Sequence, residues 1–204
     1  MLVLLHLLMA KIKAVANGSK KDAIVKKAAA LFRQKGFKAS SMRELAEKVG
    51  VEAPSLYNHI GSKSELLQHI CFNVANEFTL HLQQLEDAEQ TVVKKLEQLI
   101  RFHIKMMLQS YDELYVANHE WKHLEDPYLP NFLSQRKLYE SSMVQLVKEG
   151  IRQKELKNIH PYVAVLTILS AVRGLEFWQR HKKDIPADVL ENNMVNQLLN
   201  GLIK

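Results

Sequence analysis

Apolar residues recur at three- and four-residue intervals along most of the chain. Ile24, Ala28, Leu31 and Phe32 form one such face, and Leu96, Leu99, Ile100, His103 and Met107 form another. Leu138, Met143, Leu146, Val147 and Ile151 make a third. Toward the end come Val165, Leu166, Leu169, Val172, Leu175 and Phe177, then Leu190, Met194, Leu198 and Leu202. This spacing puts side chains on one side of a 3.6-residue helix, and no β-branched run bounded by turn signals competes with it. Gly18, Gly36, Gly50 and Gly61 divide the first third into short pieces; Pro127, Pro130, Pro161 and Pro186 divide the rest. The pattern predicts an all-α chain of about nine helices, each ~12–20 residues long.

Three of the expected helix starts share a second signal. Ser19–Asp22, Ser41–Glu44 and Ser62–Glu65 each place a serine three residues before an acid. A cap serine accepts a hydrogen bond from the N3 amide, and the acid can reach back to the cap amide. Glu86 to Gln90 is polar and reads as a loop between helices.

Composition narrows the picture. With 47% hydrophobic and 25% charged residues the chain is ordinary globular material, and 7 Gly and 5 Pro are too few for an all-β sandwich or barrel. A single cysteine, Cys71, excludes an intramolecular disulfide framework and any cysteine-rich zinc module. The net charge of +6 is unevenly spread. Residues 1–66 hold 12 Lys and Arg against 5 Asp and Glu, a net of +7, while residues 67–204 hold 16 against 17, a net of −1. A polyanion-binding module joined to a near-neutral body is the natural reading; a solvated lysine-rich face is the alternative.

The run Leu2 to Met9 is too short to span a bilayer. Its flanks are wrong for a secretory signal, because Lys11 and Lys13 follow the run and no positive charge precedes it. Either Met9 is the true start or the run is an apolar tail packed on the body or a neighbour. No other segment resembles a membrane span, so the expected location is cytoplasmic.

Met42 to Ile60 carries the chemistry of the basic third. Ala46 is the small residue that two steeply crossing helices need, and Gly50 suits the tight turn between them. Val51 is expected to plug between the helices and Leu56 to anchor the second on the first. Ala53, Ser55, Tyr57, Asn58 and His59 then fall on or near the outer face of the second helix, the face that would enter a major groove.

The stretch Asp22 to Leu67 resembles the DNA-binding domain of the TetR family of bacterial transcriptional regulators. The resemblance runs through A-I-V-K-K-A-A-A-L-F-R-Q-K-G-F, S-S-M-R-E-L-A-E-K-V-G-V and P-S-L-Y-N-H-I-G-S-K-S-E-L-L. It implies a three-helix helix-turn-helix head and a larger helical body that dimerises and binds an effector. The expected division is a tail over 1–18, a head over 19–66 and a body over 67–204. The residues expected at DNA are Ser41, Arg43, Ala53, Ser55, Tyr57, Asn58, His59 and Lys63. Arg43 has an alternative role as partner of Glu47 at i+4, and Tyr57 and His59 as packing against the first helix. Lys20, Lys21, Lys26, Lys27, Lys35 and Lys38 supply field rather than sequence reading. Two departures from the family pattern stand out: Ile60 replaces a usual aromatic, and Glu52, Ala53 and Pro54 replace a common Ser-Lys-Gly run, which sets an acid near the phosphates.

In the body, Leu124 to Gly150 is similar to bodies that respond to acyl-CoA or other lipid-like ligands. The expected effector pocket gathers His103, Met107, Trp121, Tyr139, Met143 and Phe177, with plain core packing as the alternative. His119-Glu120-Trp121-Lys122-His123 matches H-E-x-x-H, in which two histidines on one helical face bind zinc. A metal-dependent hydrolase or metal sensor built on His119 and His123 is therefore the rival reading. The third ligand it needs is not singled out, so no catalytic residue, metal or cofactor is assigned. Residues 161–202, with the small Ser170, Ala171 and Gly174, are expected to form the homodimer interface. The whole reads as a repressor that leaves a palindromic operator when a small apolar or amphipathic effector binds.

Overall fold

The computed structural model describes residues 20–57, 60–181 and 185–203. The apolar run at Leu2–Met9, the Ser19 cap, Asn58 and His59 lie outside the described residues. Ten α-helices are present among the described residues. They are α1 (Lys20–Lys35), α2 (Met42–Val49), α3 (Ala53–Tyr57), α4 (Lys63–Glu86), α5 (Val92–Gln109), α6 (Tyr111–His119), α7 (Tyr128–Arg152), α8 (Pro161–Arg173), α9 (Leu175–His181) and α10 (Ala187–Asn200). A 3₁₀ turn, Trp121–His123, follows α6, and the sole β pairing among these residues is an isolated bridge between Leu156 and Ile203. The apolar face from Val165 to Phe177 is carried by two helices, α8 and α9, divided at Gly174.

The described caps form largely as their sequences dictate. Ser41 Oγ accepts from the Glu44 amide at 3.2 Å and the Glu44 carboxylate accepts from the Ser41 amide at 3.0 Å, a complete capping box. Ser62 Oγ likewise accepts from the Glu65 amide at 3.0 Å, but Glu65 reaches the Gly61 amide, one residue before the cap, at 2.8 Å. Thr91 caps α5, a start the serine pattern did not reveal.

The 24-residue α4 is the spine. Leu66, Leu67, Ile70, Cys71, Val74, Phe78, Leu82 and Leu85 are all buried along it, and it packs on α1 at one end and on α6 and α7 further along. The expected boundary between residues 66 and 67 therefore falls inside a helix. Glycine or proline is absent there, and the two neighbouring leucines join one continuous core that runs from Ile24 to Leu202. The remaining body layers place α8 against α7 and α5, and α10 and α9 against α5. Two side chains depart from expectation. Val51 is 38% exposed and does not plug the turn; Leu138 is 67% exposed and turned off the buried face of α7, which is carried by Phe132, Met143, Leu146, Val147 and Gly150.

Gly150 is the tightest point of that face. A Cβ there would lie 2.7 Å from both Leu156 Cδ1 and Val92 Cγ1. Gly150→Ala should therefore lower stability by about 1–3 kcal/mol through overpacking, despite alanine's better helix propensity. Urea unfolding followed by circular dichroism measures this; an unchanged or raised midpoint would contradict it.

A helix-turn-helix surface and a cavity joined by α6

In the head, Leu45, Ala46 and Leu56 are at most 2% exposed, and Ile60 is buried, so the missing aromatic is replaced by an aliphatic core residue. Gly50 closes α2 in the left-handed region at φ +82°, with its amide donating to the Ala46 carbonyl at 2.9 Å. Nothing would crowd a side chain at this position, so the conformation alone favours glycine. Beyond this turn, Glu52 and Pro54 are exposed, Ala53 and Ser55 half-buried, and Tyr57 is 51% exposed. Tyr57 thus presents its ring outward rather than to α1. Arg43 is almost wholly exposed, its guanidinium 3.6 Å from Glu47.

Lys63 has a structural task. Its Nζ donates to the carbonyls of Phe37 at 2.9 Å, Ser40 at 2.8 Å and Lys38 at 3.3 Å, and lies 4.5 Å from the Phe37 ring centre. The ammonium fastens the turn between α1 and α2 to the start of α4. Other head lysines are also engaged: Lys21 with Glu65, Lys35 with Glu44 and Lys27 with the Lys48 carbonyl.

The same turn is held from the body side. The Phe37 amide donates to Glu120 at 3.3 Å, and its ring stacks on His123 with centroids 5.5 Å apart. One step back, Arg33 pairs with Asp112 and sits over the Tyr111 ring. Both contacts come from α6 or the turn that follows it.

The other side of α6 lines a cavity of about 380 Å³. Leu114, Ala117 and Asn118 contribute from α6, Val74 and Phe78 from α4, His103 and Met107 from α5, Phe132, Arg136 and Tyr139 from α7, and Leu169, Val172 and Arg173 from α8. Of the expected pocket residues, His103, Met107 and Tyr139 are brought together here. Met143 is fully buried core one turn beyond Tyr139, Trp121 packs against the core from the 3₁₀ turn, and Phe177 is 66% exposed on α9. None of these three lines the cavity. Arg136 and Arg173 were missed; the sequence offered only their positions beside apolar residues, since basic side chains normally read as surface.

His103 is buried, its Nε2 2.7 Å from the Tyr139 hydroxyl and its ring against Phe78. Burial, aided by His81, holds the imidazole down to about 3, and burial pushes the Tyr139 phenol up. Arg136 is half-buried over the Phe132 ring, and no hydrogen bond to an acceptor is present for it among the described residues. Burial and then the neighbouring Arg173 pull its pKa below the usual arginine value, with Glu140 and Cys71 opposing.

The H-E-x-x-H reading does not hold. α6 ends at His119 and the next residues turn into a 3₁₀ geometry, so the two imidazoles do not share a helical face. His119 Nε2 pairs with Glu176 at 2.9 Å, whereas His123 pairs with Glu120 at 3.4 Å. No group of three potential metal ligands exists among the described residues.

A helix-turn-helix surface coupled through one helix to a ligand-sized cavity defines the class of one-component helical regulators. Residues 24–70 match the family model described as bacterial regulatory proteins of the tetR family, and residues 89–202 match the tetracyclin repressor-like C-terminal domain. The chain belongs to the TetR family. It is 26% identical over 140 residues, 65% of each chain, to the HTH-type transcriptional repressor KstR2 of Mycolicibacterium smegmatis, and so spans about two thirds of that relative's length. Among solved structures, the ketosteroid transcriptional regulator KstR2 of Mycobacterium tuberculosis superposes with a TM-score of 0.84 at 18% identity, covering 92% of this chain and 97% of that one. AibR, solved with isovaleryl coenzyme A and operator DNA, superposes with a TM-score of 0.76 at 22% identity, over 89% and 98% of the two chains. These superpositions are likenesses of fold.

The buried His103 makes stability depend on pH with a definite sign. The folded protein keeps it neutral down to about 3, while the unfolded chain takes up a proton below the ordinary value of 6.5. The unfolded state then binds more protons, so His103 costs stability progressively as pH falls from 6.5 toward 3. His103→Gln should flatten the pH dependence of the unfolding free energy there by up to ~1.4 kcal/mol per pH unit. Urea titrations at several pH values test this; parallel curves for the two proteins would refute it.

Proposed function

We propose that this chain represses transcription as a homodimer on a palindromic operator and is released by an amphipathic effector of the acyl-CoA or other lipid-like kind. The cavity carries the proposal. A largely apolar lining on which Arg136 makes no ion pair among the described residues, with Arg173 close to it and Glu140 the nearby acid, suits a hydrocarbon body and an anionic head, because a desolvated cation gains most from an anion. The solved complex of AibR with isovaleryl coenzyme A and operator DNA supports the same pairing of ligand and target.

At the head, the exposed Tyr57 and Arg43 and the half-buried Ser55 meet DNA, with Ser41 and Ala53 at the approach; Asn58 and His59 are DNA contacts proposed from the sequence alone. Lys63 serves DNA binding by fixing the turn that presents α2. Two half-sites one helical turn apart require two heads at fixed spacing. A second copy supplies the other head through α8 to α10, where Tyr162, Val163, Leu166, Phe177 and Val189 are 43–66% exposed. An isologous contact of these faces buries them across a two-fold axis. A DNA partner supports a cytoplasmic location and a binding role rather than a catalytic one. No described helix is long and apolar enough to cross a membrane. An effector releases the operator only to the extent that it binds a DNA-incompetent head spacing more tightly than the competent one.

Selection of bound fragments from the source genome, followed by gel-shift titration, tests the proposal. Tyr57→Ala should weaken operator binding by about tenfold or more without changing the melting temperature, since the ring is largely outside the core. Glu52→Ala should raise affinity for random DNA by removing a carboxylate from the phosphate field, and so shrink the specificity ratio. Equal binding of wild type to operator and random DNA would overturn the operator reading. Arg136→Met should raise the decanoyl-CoA concentration needed for release by about tenfold, and an unaltered requirement would remove Arg136 from the effector site.

A further inference from the structure

We propose that the effector carries a neutral acceptor oxygen, a carbonyl or hydroxyl, on its apolar portion, and that the His103–Tyr139 pair recognises it. This deepens the effector reading above and rests on it.

The argument is a count of hydrogens. A neutral imidazole carries one N–H and a phenol one O–H. The pair shares a single hydrogen bond, 2.7 Å between His103 Nε2 and the Tyr139 hydroxyl, and no second bond to either side chain is present among the described residues. If the histidine donates, the phenol hydrogen is left over; if the phenol donates, the Nδ1 hydrogen is left over. In both tautomers one polar hydrogen has no protein acceptor.

Both side chains line the cavity. Other neutral polar groups on the wall are differently placed. Thr79 donates to the Ala75 carbonyl at 2.8 Å, and Gln135 donates to Asn76 at 2.9 Å and to Thr79 at 3.2 Å. Asn118, on α6, stands half-exposed. His103 is 8% exposed, with the Phe78 ring 4.6 Å from its own; besides Tyr139, the polar neighbour that acts on it is His81, which like burial disfavours its charged form.

Water in the cavity can accept the leftover hydrogen. A plain hydrocarbon that displaces this water leaves the donor unmatched, whereas a carbonyl or hydroxyl restores the bond. An anion is a poor occupant at this spot, because the imidazole stays neutral and supplies no countercharge. The anionic end belongs instead with Arg136 and Arg173, the first of them one turn along α7 from Tyr139. The inferred ligand class is thus an oxo- or hydroxy-substituted apolar acid or its thioester.

The probes are decanoate, 10-hydroxydecanoate and oxodecanoates with the carbonyl at carbon 3, 5, 7 or 9, titrated calorimetrically into full-length wild type and Tyr139→Phe. At least one oxygenated acid should bind wild type about tenfold more tightly than decanoate. Tyr139→Phe should bring that ratio toward one while decanoate affinity changes little. If every oxygenated acid binds wild type no better than decanoate, the inference fails and the amphipathic-effector reading stands. If Tyr139→Phe weakens all probes alike, the pair is only structural and the inference also fails. If none of the acids binds wild type at about 1 mM, the cavity reading falls with it. The wild-type comparison decides the matter even if the variant folds poorly.

Discussion

A nine-residue helix, α6, is gripped on two sides, and the arrangement of head and body depends on that grip. Its Asp112 pairs with Arg33 of α1, and Glu120 just beyond its end accepts the Phe37 amide. Its Leu114, Ala117 and Asn118 face the cavity. Whatever enters the cavity therefore meets the element that also fixes the first helix and first turn of the head. The contacts on the head side include directional polar bonds, at Phe37 and Arg33, so a shift of α6 changes hydrogen-bond geometry there and does more than slide one apolar surface over another. Interfaces of this kind have discrete arrangements, as a two-state response requires.

The turn at Gly36–Ser41 is the receiving end of this linkage. Lys63 holds three of its carbonyls from α4 while Glu120 and His123 hold Phe37 from the body. Because α4 carries both Lys63 and the cavity residues Val74 and Phe78, the head turn is tied to the cavity along two routes, α4 and α6. A single continuous core explains why no glycine or proline marks a boundary near residue 66. A flexible joint there would uncouple sensing from DNA binding.

Much of this was legible from local patterns. The 3.6-residue spacing, the Ser41 and Ser62 caps and the left-handed Gly50 are local properties, and the structure reproduces them. Val51 and Leu138 were misjudged because an apolar side chain does not by itself say which neighbour will cover it. The cavity was half legible. His103 is legible because it interrupts an apolar stripe with a polar group, whereas Tyr139 and Met107 share the cavity only through the packing of α5 against α7. Trp121, Met143 and Phe177 are large and apolar, and such a side chain suits a cavity wall, core or an uncovered face equally well. Arg136 and Arg173 were invisible for the converse reason: a basic residue is normally solvated, and only the tertiary fold shows one turned over a phenylalanine ring. The H-E-x-x-H match failed at a similar level, since its spacing implies metal geometry only on an unbroken helix, and α6 stops at its first histidine.

The cavity's electrostatics carry the argument one step further. Burial first, and then the neighbouring Arg173, disfavour the charge on Arg136, and an anion bound beside the two guanidiniums offsets both effects. Elsewhere on the lining, His103 and Tyr139 are kept neutral by burial. A wall that carries both cationic and neutral polar groups among apolar ones reads a ligand by its groups, not only by its size. If the effector is amphipathic, as proposed, such a wall holds it in one orientation, and a fixed orientation brings the same part of it against α6 each time it binds.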